Sequence, residues 1–395
     1  MSSPSAVNSS VARRFEIDPL SAALGLVAIA SLVFLPFIVV KTSRIASGVS
    51  RQLIDALPFG AALAVGTVLA VLAAFTAFTA SVRLRLCAAL AGLVLCALTV
   101  ARAADALTPV GNRIVRISPG FGFWVLLIAF GLIATNALTR FRLAPSRRVL
   151  VLALAVALLY AAFAGGVFDA LSIMREYAVN ADRFAREARQ HVLLVLASLA
   201  PAVIVGVPIG ILCHRVPRVR GAILQTLNLI QTIPSIALFG ILMVPLAAIA
   251  AAYPLAAELG VHGIGAAPAV IALFLYALLP VVANTSVGLG RVSPSTVEAA
   301  RGMGMTNRQV LWQVEFALAL PVILTGIRIV LVQNIGLVTI AALIGGGGFG
   351  TFVFQGIGQT AIDLVLLGAI PTVALAFSCA VVLDALVDTM MRTPP

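Results

Sequence analysis

Residues 57–80 read LPFGAALAVGTVLAVLAAFTAFTA and contain no charged side chain. A run of about 20 apolar residues is long enough to cross the hydrocarbon core of a bilayer as an α-helix. The run also lacks the strict alternation of polar and apolar residues that is typical of a membrane β-strand. It therefore predicts a transmembrane helix, and similar runs recur along the chain.

The composition of the whole chain fits a membrane protein. Of 395 residues, 62% are hydrophobic and 10% are charged, and the mean hydropathy is +1.13. Soluble domains have about 25% charged residues, and a soluble enzyme of this composition would expose too much apolar surface. Disordered and collagen-like chains are excluded by the same values. The predicted fold class is an all-α integral membrane protein.

The apolar runs predict about ten transmembrane helices, each long enough to cross a bilayer. They cover approximately residues 20–40, 57–80, 86–101, 121–139, 149–168, 192–213, 222–250, 266–289, 317–341 and 364–383. The run 222–250 and its continuation contain Pro234, Pro245 and Pro254. Both one long kinked helix and a helix followed by a re-entrant segment fit this pattern.

Basic residues set the orientation. The chain has 26 basic and 14 acidic residues, a formal charge of +12. Basic residues are enriched in cytoplasmic loops, and the short loops 80–86, 140–148 and 214–220 are basic and free of acids. We therefore expect a multi-pass protein of the cell (inner) membrane with both termini cytoplasmic. The positive charge is therefore attributed to basic residues that flank transmembrane helices in the lipid bilayer, and nucleic acid is not an expected partner.

The predicted helices divide the chain into three parts. Residues 1–168 hold five helices of unknown role. Residues 169–191 carry mixed charges and predict an exposed or interfacial connecting helix. Residues 192–390 hold the other five spans and nearly all of the informative loops.

The most specific loop is residues 293–315, SPSTVEAARGMGMTNRQVLWQVE. Ser295 and Glu298 have the spacing of a capping box, and Pro294 is a suitable helix starter. Gly302 and Gly304 can end this first helix in the left-handed conformation. The loop therefore predicts a helix that projects from the membrane and then turns.

A second helix is expected to start in the same loop. Thr306 and Gln309 repeat the capping-box spacing. The helix would carry Val310, Leu311, Val314 and Leu318 on one side.

Two interpretations of this hairpin are open from spacing alone. The small side chains of Ala299 and Ala300 would let a partner surface approach closely. Alternatively, the segment is an ordinary cytoplasmic hairpin in which Glu298 only caps a helix.

A family resemblance favours the first interpretation. Glu298-Ala299-Ala300 followed by Gly304 resembles the EAA loop of ATP-binding-cassette (ABC) importer permeases, and Val314 fits the aliphatic position of that pattern. Phe316-Ala317 stands where the family has Leu-Pro, and Leu320-Pro321 follows four residues later.

Two further segments resemble quaternary-amine permeases of the glycine betaine/choline/proline type, the ProW- and YehY-like group. They are QTIPSIALFG at 231–240 and IGGGGFG at 344–350, the latter followed by LGAIP at 367–371. The resemblance covers roughly residues 190–390. The N-terminal spans match the longer YehY-like members in general layout.

The resemblance implies a type I ABC importer permease core (MetI-like) at the C-terminal end. It also implies import of quaternary-amine osmoprotectants such as glycine betaine or choline. The implied partners are ABC ATPase subunits, a second permease subunit that is identical or homologous, and an external or periplasmic substrate-binding protein. Glu298, Ala299, Ala300 and Gly304 would couple the permease to the ATPase.

The chain lacks the residues for catalysis of its own. A phosphate loop needs a lysine after glycine, but Lys41, the only lysine, follows Val40. ATP is therefore expected on a partner subunit, with no cofactor bound by this chain. Cys87, Cys96, Cys213 and Cys379, like His191, His214 and His262, are scattered and predict neither a metal site nor a catalytic site.

Two further features are interpreted as structural, a glycine motif on the outer side after the ninth span and an arginine inside that span. A role of the glycine motif in receiving substrate from an external binding protein is the alternative. Gly345, Gly347 and Gly350 satisfy GxGxxG formally, but no soluble strand precedes them. They predict a tight turn or broken helix where backbone approaches backbone. Arg328 lies inside a span, where a charge is usually paired. Pairing with a neighbouring helix or a carbonyl is favoured over a gating role.

Polar residues within the spans are candidates for the transport pathway. They are Gln231, Thr232, Ser235, Asn284 and Thr285. Hydrogen bonds between helices would explain them equally well. At the level of the whole chain, the alternative function is a secondary transporter or channel that works without an ATPase. It predicts transmembrane carboxylates or an inverted repeat. An intramembrane enzyme would need a buried nucleophile–base pair.

Overall fold

Prolines start five of the helices of this chain, because the ring fixes φ and the first helical residue needs no N–H partner. The computed structural model describes residues 18–43, 46–109, 114–141 and 143–392. Arg142, in the basic loop 140–148 used for the orientation, lies outside these residues.

Helices account for most of the described residues. The helices are α1 (Pro19–Phe34), α2 (Leu53–Ala56), α3 (Phe59–Phe78), α4 (Val82–Leu107), α5 (Phe121–Arg140), α6 (Pro145–Ala164), α7 (Ser172–Arg215), α8 (Pro217–Thr232), α9 (Ser235–Ala252), α10 (Pro254–Glu258), α11 (Ala266–Gly290), α12 (Pro294–Gly302), α13 (Asn307–Gln309), α14 (Phe316–Ala341), α15 (Gly350–Gly358) and α16 (Ile362–Arg392). A π-helix, Val310–Glu315, leads into α14, and a 3-10 turn, Ala342–Ile344, follows it.

Nine helical segments in the described part of the chain are long and apolar enough to cross a membrane, and α1 is a shorter apolar helix. The predicted fold class, a helical membrane protein with about ten spans, is therefore confirmed. The predicted span 20–40 is too long, because α1 ends at Phe34 and Ile38–Lys41 forms a strand.

A three-stranded sheet was not expected from the sequence. Its strands are β1 (Ile38–Lys41), β2 (Val49–Arg51) and β3 (Arg116–Pro119), in the order β2-β1-β3 with both pairs antiparallel. The described part of the chain remains mostly helical, as predicted, and this small sheet is an addition to the predicted fold.

The chain divides into two compact units. Unit 1 comprises residues 1–144 and 154–179, and unit 2 comprises residues 145–153 and 180–395. The boundary at residue 180 falls within α7, where Asn180 has non-helical φ and ψ. The predicted connector 169–191 is helical from Ser172 onward, and Ser172, Glu176 and His191 within it are buried.

Unit 1 has a core of small and aromatic side chains from α1, α3, α4 and α5. Asp18, just before α1, accepts hydrogen bonds from Ser21, Arg85, Asn136 and Arg140. These contacts tie the start of α1 to α4 and α5. Arg85, expected in a short loop, is instead a buried residue of α4.

Unit 2 is organised around α11 and α14, which pack against each other, with α16 against α14. The predicted run 222–250 consists of two helices, α8 and α9, separated at Ile233-Pro234. One continuous kinked helix is therefore wrong. The break occurs because a residue that precedes proline is disfavoured in the α conformation.

Candidate coupling loop and transport pathway

The predicted hairpin at 293–315 is present. Helix α12 begins after Ser293, whose hydroxyl oxygen accepts a hydrogen bond from the Thr296 backbone N–H at 3.2 Å, with Pro294 as the first helical residue. The predicted capping box of Ser295 and Glu298 is therefore wrong. Proline is favoured at the first helical position, which makes the preceding residue the cap.

The second helix starts as predicted, and of the two glycines expected in the left-handed conformation only Gly304 adopts it. Gly302 is the last residue of α12, and Gly304 has φ +86°. Thr306 and Gln309 form a capping box with both reciprocal hydrogen bonds present. The helix–turn–helix is therefore fixed by local hydrogen bonds.

The hairpin has one buried and one exposed side. Ala300 and Val310 are 2% and 1% exposed, and α12 packs against the π-helix. Glu298 and Ala299 are exposed, as is Gly304. No side chain in the described part of the chain pairs with Glu298. The first two residues of the EAA pattern thus face away from the protein.

The π-helix changes which residues share a face. A π-helix inserts a residue into the helical turn, so the residues after it are rotated. Leu318 is 57% exposed, and the expectation that it shares a packed side with Val310 is wrong. Trp312 is half exposed as well.

An ion pair fixes the base of the hairpin. Arg215 Nη2, at the end of α7, donates to Glu315 Oε2 at 2.5 Å, and Glu315 is buried. Sequence reasoning missed this pair. The only available signal was a glutamate at the start of a membrane span, since its partner lies 100 positions away.

Three of the predicted pathway residues lie together. Gln231, Thr232 and Ser235 line a cavity of about 300 Å³ at the break between α8 and α9. Tyr276 and Gln333, from α11 and α14, line the same cavity. Both were missed, although each is a polar residue within a predicted span.

Two hydrogen bonds connect the α8–α9 break to α11. The Tyr276 hydroxyl donates to the Ile233 carbonyl at 2.5 Å, and Gln231 Nε2 donates to the Tyr276 carbonyl at 2.8 Å. These bonds satisfy a carbonyl that the helix break leaves without an intrahelical partner.

Asn284 and Thr285 lie elsewhere, at helix–helix contacts. Their side chains donate to carbonyls of their own helix, those of Pro280 and Val281. A Cβ at Gly326 would lie 2.6 Å from that of Asn284, and one at Gly210 would lie 2.5 Å from that of Thr285. The structure therefore does not bring these two residues to the cavity.

Comparisons with known proteins identify the family. Residues 18–174 match "ABC transporter permease YehY, N-terminal domain", and residues 206–392 match "Binding-protein-dependent transport system inner membrane component". The osmoprotectant import permease protein OsmW of Salmonella typhimurium is 44% identical over 211 residues, which are 53% of this chain and 91% of that protein. The chain belongs to the ABC importer permease family. The resemblance stated from the sequence is thus confirmed.

Two further comparisons each cover about half of this chain. The permease is 37% identical to the glycine betaine/carnitine/choline transport system permease protein OpuCD of Bacillus subtilis, over 51% of this chain and 81% of that one. A chain of the MetNI methionine ABC transporter, solved in inward-facing conformations, aligns with a TM-score of 0.47 at 20% identity, over 53% of this chain and 96% of that one. The predicted MetI-like core and multi-pass inner-membrane location are confirmed by the family match.

The glycine-rich segment of the permease is a tight turn, as predicted. Gly345, Gly347 and Gly348 have positive φ. The turn is held from α7, where Glu187 Oε2 accepts from the Gly348 N–H at 2.7 Å and His191 Nδ1 accepts from the Phe349 N–H at 3.3 Å.

The arginine that the sequence places inside a span is paired. Arg328 forms a salt bridge with Asp384 of α16, which is the predicted pairing with a neighbouring helix. Within the described ranges, no group of three or more His, Cys, Asp and Glu residues is placed to hold a metal ion.

Proposed function

We propose that this permease imports quaternary-amine osmoprotectants such as glycine betaine or choline. The relatives named above transport osmoprotectants or glycine betaine, carnitine and choline by their names. A cation of this kind is recognised by aromatic faces, and selection would take place mainly on a separate substrate-binding protein outside the membrane.

Coupling to ATP hydrolysis would run through α12. ABC ATPase subunits, as separate chains, would bind ATP, and no cofactor would bind to this chain. The observation that supports this role is the exposure of Glu298 and Ala299 on a short helix whose base is anchored by Arg215 and Glu315. Ala300 packs inward and Gly304 makes the turn, so a push on α12 is transmitted to α14 as a rigid movement.

The pathway would pass the cavity at the α8–α9 break. Gln231, Thr232 and Ser235 would offer it a mildly polar wall. A second permease chain, identical or homologous, would supply the opposite wall.

The proposal also assigns a membrane side to the two termini and a role to each region of the chain. Both termini would be cytoplasmic, with α12 on the same side. Residues 192–390 would form the transport domain and 169–191 the connector, and the N-terminal region 1–168 would have an accessory role.

Uptake into proteoliposomes tests the proposal. The permease is reconstituted with its ATPase and binding protein, and labelled glycine betaine and choline are followed. Glu298→Arg should abolish ATP-dependent uptake while leaving membrane insertion intact. Glu258→Arg reverses the charge of another exposed glutamate of unit 2 and should retain uptake. Normal uptake by Glu298→Arg would contradict the coupling role.

The same vesicles distinguish an ATP-driven importer from the alternative function. A secondary transporter or channel would move substrate when the ATPase chains are omitted. The importer should then show only background uptake.

A further inference from the structure

One face of the sheet in unit 1 gathers basic side chains that transport, as proposed above, does not use. In the β1–β3 register Lys41 lies directly opposite Arg116. Residues opposite each other in an antiparallel pair share a face, with Cβ atoms about 4.5–5.5 Å apart, and like charges there are destabilising. Lys41 is nevertheless only 6% exposed. A buried lysine opposite a partly exposed arginine needs a compensating negative group.

The start of α7 adds a third cation and one acid. Arg175 Nη1 donates to the Val115 carbonyl at 2.7 Å, which brings Arg175 beside Arg116. Glu176 Oε1 lies 3.8 Å from Arg116 Nη2. Among the residues that the structure describes, Glu176 is the one carboxylate paired with any of these three cations, and it pairs with Arg116. The cluster therefore keeps an excess of positive charge.

Two donors on this face are buried and unused. Arg116 Nη1 and Ser118 Oγ have no hydrogen-bond partner in the described part of the chain. Ser118 is 4% exposed and lies two residues after Arg116, so both side chains are on the same side of β3. Buried donors without partners are rare in native proteins and point to a bound group.

We propose that Lys41, Arg116 and Ser118 form a binding site for an oxyanion, a phosphate or carboxylate group. A guanidinium presents parallel N–H groups that match such an anion, and a lysine adds a point charge. A water molecule could accept the two free hydrogen bonds, but it would leave the excess charge uncompensated. Arg116 and Arg175 are partly exposed, so the site is reachable from that side. Both a lipid headgroup and a soluble anion carry the required chemistry.

Thermal unfolding of the full-length protein in a neutral detergent tests the site. Sodium phosphate is compared with sodium chloride at equal ionic strength and constant pH, because ionic strength alone alters the stability of charged clusters. If soluble anion is the ligand, phosphate should raise the unfolding temperature of the native chain by several degrees. Lys41→Gln and Ser118→Ala should lose more than half of that rise.

A matched control lies on the same sheet. Arg51 is exposed and lies opposite Ile38 in the β1–β2 register. Ile38 is three positions before Lys41 on β1, so Ile38 and Arg51 lie on the other face of the sheet from Lys41. Arg51→Gln removes the same charge and should keep the full effect. Ser118→Ala removes only an unpaired hydroxyl, so it should unfold no earlier than the native chain without anion. It keeps the test valid if Lys41→Gln does not fold.

Nanodiscs identify the source of the anion. Phosphatidylcholine discs are compared with discs that also contain phosphatidylglycerol. Stabilisation by phosphatidylglycerol but not by free phosphate, lost in Ser118→Ala, assigns the site to a lipid headgroup. The proposal is overturned if neither probe stabilises the protein, or if Lys41→Gln and Ser118→Ala respond like Arg51→Gln.

Discussion

Arg215 at the end of α7 and Glu315 at the end of the π-helix form an ion pair of 2.5 Å that joins the membrane core to the EAA hairpin. Glu315 is buried while the Arg215 side chain is 35% exposed. The pair joins the end of α7 to the segment that leads into α14, and α12 packs against the same π-helix. In the proposed mechanism, this anchored segment would carry a movement of α12 to α14.

Glu315→Gln should therefore weaken both stability and coupling. Removal of the charge leaves Arg215 with a neutral partner, and a loss of about 1–2 kcal/mol is expected for a partly exposed pair. Thermal unfolding measures the change. Glu298→Gln removes an equal charge from the exposed part of the same hairpin and should unfold like the native chain. Equal unfolding temperatures for the two variants would rule out the anchoring role.

Asp18 should make unit 1 sensitive to acid. Burial by itself raises the pKa of Asp18, but the hydrogen bond from Ser21 and the charges of Arg85 and Arg140 outweigh it and hold the pKa below its ordinary value of 3.8. The stabilisation is therefore complete above that value and is lost as pH falls through the lowered pKa. Unfolding temperature against pH should show this loss in the native chain.

Asp18→Asn should remove that part of the pH profile. It should also destabilise the protein at neutral pH by about 3–5 kcal/mol, because Arg85, 2% exposed, loses its ionic partner. Asp55→Asn, at an exposed position of α2, should keep the native profile. If the pH profile of Asp18→Asn matched that of the native chain, Asp18 would not be the source of the acid sensitivity.

Gly350 should not tolerate a side chain. A Cβ there would lie 1.9 Å from the Thr339 carbonyl oxygen, which is backbone and cannot yield easily. Gly350→Ala should lower stability by about 1–3 kcal/mol or more. Gly358→Ala, at the other end of α15, meets nothing within 4 Å. Thermal unfolding should separate the two variants, and similar values would mean that α15 packs differently.

Thr232 should affect transport in a way that Thr325 does not. Both hydroxyls donate to a carbonyl of their own helix, at 2.7 and 2.8 Å, but only Thr232 lines the cavity at the α8–α9 break. Thr232→Val should raise the KM for choline uptake about 2- to 10-fold, the effect of one lost hydrogen bond. Thr325→Val should leave it unchanged. An equal KM in both variants would place the pathway elsewhere.

The sequence predicted best what depends on neighbouring residues. The spans 57–80, 121–139 and 266–289 became Phe59–Phe78, Phe121–Arg140 and Ala266–Gly290, since long apolar runs are unambiguous. The Thr306–Gln309 capping box is equally local. Strand β1 was missed because Ile38-Val39-Val40 continues the apolar run of α1, and short apolar runs do not distinguish strand from helix.

What the sequence could not give are contacts between distant segments. Glu315 and Arg215 are separated by 100 positions, and Asp18 and Arg140 by 122. Tyr276 and Gln333 reach the cavity only because α11 and α14 cross beside the α8–α9 break. No periodicity or spacing carries such information.

The position of Ala299 tests the coupling role most directly. In a background without the four native cysteines, Ala299→Cys is combined with a bifunctional cross-linker in membranes that contain the ATPase, and Glu258→Cys reports the opposite side. The Ala299→Cys permease should cross-link to the ATPase and resist an impermeant maleimide added outside intact cells, whereas Glu258→Cys should react with it. Labelling of Ala299→Cys from outside, or no cross-link in an assembled complex, would contradict the docking of α12 on an ATPase.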